Sequence, residues 1–380
     1  PSRITGVAAS IRAIIREDAI SGNFAKSANR LREQLAPLIN QRVALPLAGE
    51  SREILNELRG RVNEALESLR TIATSDDSAK QRKLRAQSLC TRLIGDLDLA
   101  LQDRTGYVAY VSGTTERCSL EMRPLDVGPA LYESVWSQRT AILTSATIPT
   151  NLPARVGLPA EKFDVHNVAS PFDYERNSLL YCAAHLPDPA LGNRDKAVHT
   201  EIEQLIVAAG GRTLALFTSY ARLNAAYDDL SDRLDFEILK QDDLPKMELL
   251  RKFSANETSC LFATQSFFQG VDVPGSTLSL VIIDRLPFPV PTDPLMSARR
   301  EVHGKSAFTA IDIPIVATKL AQASGRLIRT QTDMGVVAVL DPRLVTKGYG
   351  KTIISMLPPM EFTKSSARAQ EFLTYAVSNL

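Results

Sequence analysis

The feature that most constrains this chain is an alternation of short apolar runs with amphipathic stretches after about residue 150. The apolar runs are rich in Val, Ile, Leu and Phe and are shorter than an ordinary helix; they are 214–217, 261–263, 280–283 and 336–340. Stretches with helical periodicity lie between and around them, near 220–233, 244–253, 293–302 and 313–327. Fully apolar strands that alternate with helices are typical of a parallel sheet covered on both faces. We therefore predict an α/β fold in which helices flank a parallel sheet.

Residues 7–104 lack this alternation and predict an all-helical domain. Apolar residues recur there at spacings of three and four, as in the amphipathic helices of a hairpin or small bundle. These stripes are Phe24, Ala28, Leu31, Leu35 and Leu38, then Ile54, Leu55, Leu58, Val62, Leu66, Leu69 and Ile72, then Leu89, Leu93, Leu97 and Leu101. Breaks are expected at 42–50 and at 74–78, where we predict that Ser78 caps the last helix.

A third pattern occupies residues 105–149. β-Branched and aromatic residues in 107–111 and 118–122 predict two strands. A helix is expected around 128–136, and the run Thr-Ala-Ile-Leu-Thr at 140–144 predicts a buried strand. The predicted parts of the chain are therefore 1–104, 105–149 and 150–380.

Composition excludes some classes of protein. The 380 residues are 44% hydrophobic and carry a formal net charge of +1, which is ordinary for a globular protein and makes any nucleic-acid surface a local one. No apolar run reaches the roughly 18 residues of a membrane span. The chain begins Pro-Ser-Arg without Met or a signal peptide, so we expect a piece of a longer, cytoplasmic protein.

The cysteines do not predict a metal site. The sequence has four, Cys90, Cys118, Cys182 and Cys260, and no two of them form a Cys-x-x-Cys pair. Zinc and iron–sulfur sites use closely spaced cysteines. We interpret these four as separate reduced thiols and predict no metal ligands in the chain.

The most informative chemistry lies in residues 322–329. Arg326 and Arg329 are three apart, and Gln322 is four residues before the first, a spacing that predicts one face of a helix. Gly325 has no side chain, so a ligand could approach beside Arg326. Paired guanidinium groups suit a polyphosphate and the charge that develops on a departing phosphoryl group. The alternative is an exposed helix end with two cations stabilised by the helix dipole.

Hydroxyl residues follow two predicted strands. Ser145 and Thr147 come after 140–144, and Thr218 and Ser219 come after 214–217. Ligands of open α/β sheets gather at the carboxyl ends of strands, so these hydroxyls are candidate ligand contacts. The alternative is that they cap the helices that follow.

Two further loops contain residues that could contribute to a ligand site. In 264–275, Gly270 and Gly275 bracket Asp272 in a constrained turn that could bring the carboxylate near a ribose or an arginine. The proline-rich loop 285–294 lies between a predicted strand and a predicted helix start at Asp293-Pro294. Arg343, in Asp-Pro-Arg after the last strand, could pair with a carboxylate or a phosphate, and we favour the structural pair with a carboxylate.

These segments together resemble motifs III to VI of the superfamily-two helicases. Ser145–Thr147 resembles motif III, 217–220 motif IV, 264–275 motif V and 322–329 motif VI. The forms Gly-Val-Asp-Val-Pro-Gly, Leu-Pro-Phe-x-x-Pro-x-Asp-Pro and Asp-Pro-Arg are similar to those of the DinG/XPD group of ATP-dependent DNA helicases. The resemblance covers about residues 105–380; where family members often have Glu, this chain has Gln269.

The resemblance implies a domain organisation. Residues 150–380 would be the second RecA-like motor domain, 105–149 the closing strands of the first, and 1–104 an Arch-like insertion. The sequence contains no Gly-x-x-x-x-Gly-Lys-Ser/Thr and no Asp-Glu-x-His; Gly348-Tyr-Gly-Lys-Thr lacks the first P-loop glycine and predicts a helix start instead. In the family both motifs, and any iron–sulfur domain, precede the matched region, so we expect the C-terminal portion of such a helicase.

The resemblance also implies roles for residues. Arg326 and Arg329, oriented by Gln322, would reach the γ-phosphate of ATP bound with Mg²⁺, and Gly270, Asp272 and Gly325 would contact the nucleotide site. Ser145, Thr147, Thr218 and Ser219 would couple that site to single-stranded DNA. The intact protein would be a monomeric 5′ to 3′ helicase of DNA repair, whereas this chain alone is expected not to hydrolyse ATP. An adaptor module without ATPase activity and an RNA helicase of the same superfamily remain alternatives.

Overall fold

The computed structural model describes residues 2–15, 18–74, 76–145, 148–149, 151–192, 194–264, 267 and 275–379. The chain divides into two compact units. The first comprises 1–137, 155–157 and 290–304, and the second comprises 138–154, 158–289 and 305–380.

The first unit is built mainly from helices, as its apolar stripes predict. Its helices are α1 (Ser2–Ile15), α2 (Asp18–Leu35), α3 (Gly49–Thr71), α4 (Asp77–Leu101) and α5 (Gly128–Leu131), which continues as a π-turn over Tyr132–Trp136. The stripe residues Ile54, Leu58 and Leu69 are fully buried in one core. The predicted cap is wrong by two residues: Asp76, not Ser78, accepts a 2.7 Å hydrogen bond from the amide of Ala79, because it is the residue at N-cap whose side chain reaches the third helical amide.

A small antiparallel sheet belongs to the same unit. Its strands are β1 (Arg42–Val43), β2 (Tyr107–Gly113) and β3 (Cys118–Pro124), paired in that order. The two strands predicted in 107–122 are therefore confirmed. Val111 and Cys118 are buried in the core of the helices. The assignment of 105–149 to a first motor domain stays a prediction.

The strand predicted at 140–144 is wrong. These residues form no regular structure and are exposed, and the side chain of Ile142 is 89% exposed. An extended segment becomes a strand only beside a neighbour that completes its hydrogen bonds. None of the strand pairings among the described residues includes this segment.

The second unit is built on a seven-stranded sheet in the order β10-β4-β9-β8-β5-β7-β6, and every pairing in it is parallel. Its strands are β4 (Ser178–Cys182), β5 (Thr213–Phe217), β6 (Ile238–Lys240), β7 (Cys260–Thr264), β8 (Leu280–Ile283), β9 (Gly335–Val339) and β10 (Glu361–Thr363). The four apolar runs predicted as buried strands correspond to β5, β7, β8 and β9, and the predicted parallel sheet is confirmed.

Helices between and after these strands cover both faces of the sheet. Two short helices, α6 (Leu152–Arg155) and α7 (Tyr174–Asn177), precede the first strand of the sheet. The helices that cover it are α8 (Asp195–Ala208), α9 (Tyr220–Leu230), α10 (Lys246–Ala255), α12 (Ile313–Ser324, preceded by a π-turn over Phe308–Asp312), α13 (Arg343–Thr346), α14 (Gly350–Ser355) and α15 (Ser366–Ser378). The intervening α11 (Pro294–His303) belongs to the first unit, and Asp293 caps it as predicted.

Alternate residues of each central strand face opposite cores. Leu214 and Leu216 of β5 pack with α10 and α12, whereas Ala215 and Phe217 pack with α8, α9 and α15. Successive side chains of a strand point to opposite faces, so a strand buried on both faces must be apolar throughout. This requirement explains why the central strands have continuous apolar sequences.

The helices of the described residues include none that is both long enough and apolar enough to cross a membrane.

Replacement of a core aromatic should distinguish the buried sheet from its edge. Phe262 of β7 is fully buried and lies 5.4 Å, centroid to centroid, from Phe217. We expect Phe262→Ala to lower the free energy of unfolding by about 3–5 kcal/mol, since it removes buried surface and leaves a cavity. Phe362→Ala, at an edge-strand position that is 39% exposed, should cost under about 1 kcal/mol. Urea unfolding followed by circular dichroism measures both, and equal losses would contradict this description of the core.

Candidate nucleotide and nucleic-acid site

The parallel sheet brings the carboxyl ends of its strands to one edge, and Thr218 and Ser219 lie there at the end of β5. Ser219 has extended backbone angles and its Oγ accepts a 3.4 Å hydrogen bond from the amide of Arg222. Thr218 is half-buried and Ser219 is exposed. Ser219 therefore caps α9, as the alternative interpretation predicted, and the amino end of that helix can also bind an anion.

A buried ion pair fixes this helix end to the neighbouring strand. Asp284 follows β8 and is fully buried. Arg222 donates to it from Nε at 2.7 Å and from Nη2 at 3.1 Å, and its Nη1 lies 3.1 Å from Oδ1 of Asp195. Burial is the largest single influence on Arg222 and opposes its charge, but the hydrogen bonds and attraction to Asp284 and Asp195 together outweigh burial and raise the pKa of the guanidinium. The pair locks α9 to the end of β8.

Two further arginines give this cluster an excess of positive charge. Arg194 is only 1% exposed, donates to the carbonyl oxygen of Leu340 at 2.5 Å, and lies 4.0 Å from Asp284. Burial lowers its pKa, and so do the nearby Arg285 and Arg222. Burial also lowers the pKa of Arg285, with Arg222 the next cause. Among the described residues Arg285 makes neither a hydrogen bond nor an ion pair, so the edge can accept an anion.

A second buried carboxylate organises the loop after β9. Asp341 is fully buried and accepts a 2.9 Å hydrogen bond from the amide of Leu286. Arg343 donates to it from its amide and from its Nε at 3.0 Å and from its Nη2 at 2.7 Å. These hydrogen bonds raise the pKa of Arg343. The prediction that Arg343 pairs with a carboxylate is confirmed, and the pair joins the loops after β8 and β9.

A buried glutamine positions the last residue of β7. Oε1 of Gln241 accepts from the amide of Thr264 at 2.7 Å and from its Oγ1 at 2.9 Å, while Nε2 donates to the hydroxyl of Tyr220 at 2.5 Å. The end of β7, where the segment 264–275 begins, is thus tied to the first residue of α9.

The arginine segment does not lie on one helix face. Helix α12 contains Gln322 but ends at Ser324, and Gly325, Arg326 and Arg329 follow it. The amide of Arg326 bonds to the carbonyl oxygen of Ala323 at 3.1 Å in a single tight turn. Leu327 and Ile328, which follow this turn, are both buried in the core.

This segment lies at the amino edge of the sheet. Asn177, directly before β4, donates from Nδ2 to the carbonyl oxygen of Gln331 at 3.0 Å. A Cβ on Gly335, the first residue of β9, would lie 2.7 Å from Cδ1 of Leu327. Within the second unit, Arg326 and Arg329 therefore stand at the edge opposite to Thr218 and Ser219. Among the described residues, the predicted site residues of this sheet therefore form two sets, one at each edge.

Both arginines are half-buried. Burial lowers the pKa of Arg326, and it lowers that of Arg329 against the opposing effect of Asp333. Asp333 is buried and accepts from the amides of Arg329 and Thr330 at 2.7 and 2.8 Å. Hydrogen bonds from backbone amides to Asp333 hold this loop. Because the guanidinium groups are partly desolvated, a bound anion would stabilise them more than it would stabilise exposed ones.

The remaining predicted site residues are placed as follows. Gly270, Asp272 and Thr147 lie outside the described residues. Ser145 is exposed in a segment without regular structure. Gly325 has φ −66°, and a Cβ there would meet only the carbonyl oxygens of Ala321 at 3.3 Å and Gln322 at 3.9 Å. Any residue could therefore adopt the backbone conformation at position 325. The prediction that a ligand approaches closely beside Arg326 rests only on the space left by the missing side chain.

The Gly-Lys-Thr run at 350–352 begins helix α14, and the predicted helix start is confirmed. All four cysteines are buried and free, and burial raises the pKa of Cys90 to about 11 and of Cys260 to about 12. The described part of the chain contains no group of three or more His, Cys, Asp or Glu side chains placed to hold a metal ion.

Sequence reasoning missed the residues that organise the carboxyl edge. Arg222, Asp284, Arg194 and Gln241 belong to no motif and are far apart in the chain. One available hint was Asp284 directly after an apolar strand, since an acid there is costly unless a cation pairs with it. Its partner, 62 residues away, had no sequence pattern to identify it.

Comparison with known proteins defines the class. Residues 202–360 match the family described as helicase C-terminal domain. The chain is 40% identical over 296 residues to the ATP-dependent helicase DinG of Mycobacterium tuberculosis (strain ATCC 25177 / H37Ra), covering 74% of this chain and 45% of that protein. It is 35% identical over 281 residues to the ATP-dependent DNA helicase YoaA of Escherichia coli (strain K12), covering 71% of this chain and 44% of the relative.

A solved structure of an XPD helicase has the same fold, with a TM-score of 0.58 at 16% identity over 96% of this chain and 64% of that one. The fold and the matched family define a RecA-like helicase motor domain with a helical region before it. Within that class the chain matches the C-terminal portion of DinG/XPD-like superfamily-two helicases, as its motifs predict. The chain spans under half the length of the two curated relatives.

Loss of the charge on Asp284 should destabilise the second unit. Asp284→Asn leaves Arg222 and the buried Arg194 opposite a neutral amide, so we expect a loss of about 3–5 kcal/mol in unfolding free energy. Asp195→Asn is the matched control, because Asp195 is 52% exposed and also contacts Arg222; it should cost under about 1 kcal/mol. Urea titration of both variants tests this, and an Asp284→Asn variant as stable as the control would refute the role of the pair.

Proposed function

We propose that this chain supplies the second motor domain and an Arch-like helical domain to an ATP-dependent helicase that moves 5′ to 3′ along single-stranded DNA. The observation that carries the proposal is the parallel sheet whose two edges present motif segments of this group at fixed positions. The names of the relatives, ATP-dependent helicase DinG and ATP-dependent DNA helicase YoaA, support the activity. The boundaries 1–104, 105–149 and 150–380 belong to this proposal.

The amino edge would complete the ATP site. Arg326 and Arg329 are half-buried, and their lowered pKa values express the cost of desolvated charge. A γ-phosphate opposite them would offset that cost, most strongly as charge moves toward the leaving group. Gln322, in the last turn of α12, would orient the pair. The P-loop and acidic box of the other motor domain would hold the phosphates and Mg²⁺, and an iron–sulfur cluster, if the intact protein has one, would also lie there.

The carboxyl edge of the sheet would bind the single-stranded DNA. Thr218 and Ser219 stand at the amino end of α9, where free amides and hydroxyls can bind a phosphate. The segment that contains Gly270 and Asp272 begins at Thr264, which Gln241 ties to Tyr220 of α9. A change at the nucleotide would thus reach Thr218 and Ser219 through bonded neighbours, with Ser145 and Thr147 contributing from their own segment.

The substrate we propose is DNA rather than RNA, because the E. coli relative is named a DNA helicase. We also propose a monomer acting in DNA repair in the cytoplasm. The test is stimulation of ATP hydrolysis in a chain that includes the P-loop half. Single-stranded DNA should stimulate hydrolysis more than RNA of the same sequence. Greater stimulation by RNA would favour the RNA helicase, and ATP-independent strand binding alone would favour an adaptor.

The 380-residue chain alone should not turn over ATP, since its sequence lacks Gly-x-x-x-x-Gly-Lys-Ser/Thr and Asp-Glu-x-His. Phosphate release with Mg²⁺ and single-stranded DNA should equal that of buffer. If the purified chain hydrolysed ATP and Arg326→Gln abolished that activity, this expectation would be wrong.

Within a chain that includes the P-loop half, Arg326→Gln and Arg329→Gln should each lower kcat of ATP hydrolysis by about a thousandfold, as loss of a transition-state arginine does elsewhere. KM for ATP should change less, because the interaction strengthens in the transition state. Arg368→Gln is the control, since Arg368 pairs with Glu361 on an exposed surface. If Arg326→Gln or Arg329→Gln kept the kcat of the Arg368→Gln control, the proposed role of that arginine would be refuted.

A further inference from the structure

Three aromatic rings from separate parts of the second unit meet in one cluster. Phe288 lies in the loop after β8, Phe308 begins the π-turn before α12, and Tyr349 precedes α14. The rings of Phe288 and Phe308 are stacked, with centroids 5.6 Å apart and an interplanar angle of 21°. Tyr349 packs edge-on against both, at 5.7 Å from Phe288 and 5.3 Å from Phe308. Such contacts hold the rings in fixed orientations.

The outermost ring of this cluster is open to solvent. Phe288 and Tyr349 are half-buried, but Phe308 is 41% exposed. Phe288 is stacked on Phe308 and Tyr349 packs edge-on against it, and the part of the Phe308 ring that stays exposed can contact a ligand. A rigidly held, exposed aromatic ring can pack on another flat ring at little entropic cost.

Cations surround this cluster. The guanidinium carbon of Arg343 lies 5.6 Å from the ring centroid of Phe288 and is held there by Asp341. Lys319 donates to the carbonyl oxygen of Pro287 at 3.3 Å. Arg285 begins the same loop and is half-buried beside Arg222. The carboxylates Asp284 and Asp341 are fully buried and already bonded within the protein. Two other carboxylates reach solvent: Asp188, near Tyr349 and Arg343, is half-buried, and Asp195, beside Arg222, is 52% exposed.

The cluster lies on the edge that carries Thr218 and Ser219. It is built on loops that follow β8 and β9, and β8 lies between β9 and β5 in the sheet. Neighbouring strands are about 4.8 Å apart, so the carboxyl ends of these three strands fall within roughly 10 Å. A flat apolar ring beside cations is the combination that binds single-stranded nucleic acid, since the ring stacks on a base and the cations contact phosphates. An apolar peptide would not use the cations.

We propose that Phe308, backed by Phe288 and Tyr349, stacks on one base of the bound single strand, and that Arg285 contacts the adjacent phosphate. The inference rests on the proposed function and adds to it a contact to bases, which the backbone contacts of Thr218 and Ser219 do not include. The stacking is independent of base identity because every base has a π-face.

The test separates base contacts from phosphate contacts. Binding of the 380-residue chain is measured, by fluorescence anisotropy, to a labelled oligodeoxythymidylate and to an abasic strand with the same number of phosphates. Phe308→Ala should weaken binding to the base-bearing strand about five- to hundredfold and change binding to the abasic strand less than about twofold. Phe308→Trp should keep the preference for bases, and stacking should quench the added indole fluorescence.

Two further variants complete the design. Arg285→Gln should weaken binding to both strands alike and reduce the salt dependence by about one phosphate contact, a slope change of roughly 0.7 for a single strand. Tyr375→Ala removes an aromatic on α15 that is more exposed than Phe308, at 57%, and should change neither affinity. Circular dichroism checks that each variant is folded.

The outcomes separate the two proposals. If the wild-type chain binds neither strand, the proposed strand contact fails, and this inference fails with it. If the wild-type chain binds both strands while a folded Phe308→Ala retains full preference for bases, only this inference is overturned. Equal weakening on both strands by Phe308→Ala would likewise overturn it, because the ring would then act only as a support for the loop.

Discussion

Hydrogen bonding between parallel strands is the constraint on which the second unit depends. Parallel strands cannot be joined by a hairpin, so each connection crosses over the sheet, usually as a helix. The crossovers cover both faces, as α10 and α12 do on one side and α8, α9 and α15 on the other. All carboxyl ends then share one edge. Thr218, Asp284 and Asp341 meet there for this reason, whereas Arg326 and Arg329, in the connection that leads into β9, lie at the amino edge.

The two buried carboxylates turn that edge into a defined surface. A buried ion pair contributes little net stability, because desolvation offsets much of the attraction. Its consequence here is geometric. Asp284 fixes α9 to the end of β8, and Asp341 fixes the loop of Leu286 to that of Arg343. The exposed groups between these anchors, including Ser219 and Phe308, are therefore held in place before a ligand arrives.

Some elements could be predicted from sequence because their environment is uniform along the strand. β5, β7, β8 and β9 are buried on both faces, so burial alone requires a continuous apolar run. β6 and β10 have three residues each and lie at the sheet edges, where such a run is not required. The segment 140–144 has the composition of a strand, but strand formation needs a paired neighbour, which composition does not encode. The helix end at Ser324 was missed because the spacing of Gln322, Arg326 and Arg329 is compatible with a helix that continues.

The sequence by itself determined the kinds of element, the parallel sheet, the motifs and hence the helicase class, because each depends on residues close together in the chain. It also gave a helix cap as one of two interpretations of Ser219, and a carboxylate as the favoured partner of Arg343. Only the tertiary structure decided which edge each motif occupies, that Arg222 pairs with Asp284, and that Phe288, Phe308 and Tyr349 form one stack. These contacts join residues that are tens of positions apart, and the path of the backbone through the sheet, rather than any local pattern, brings them together.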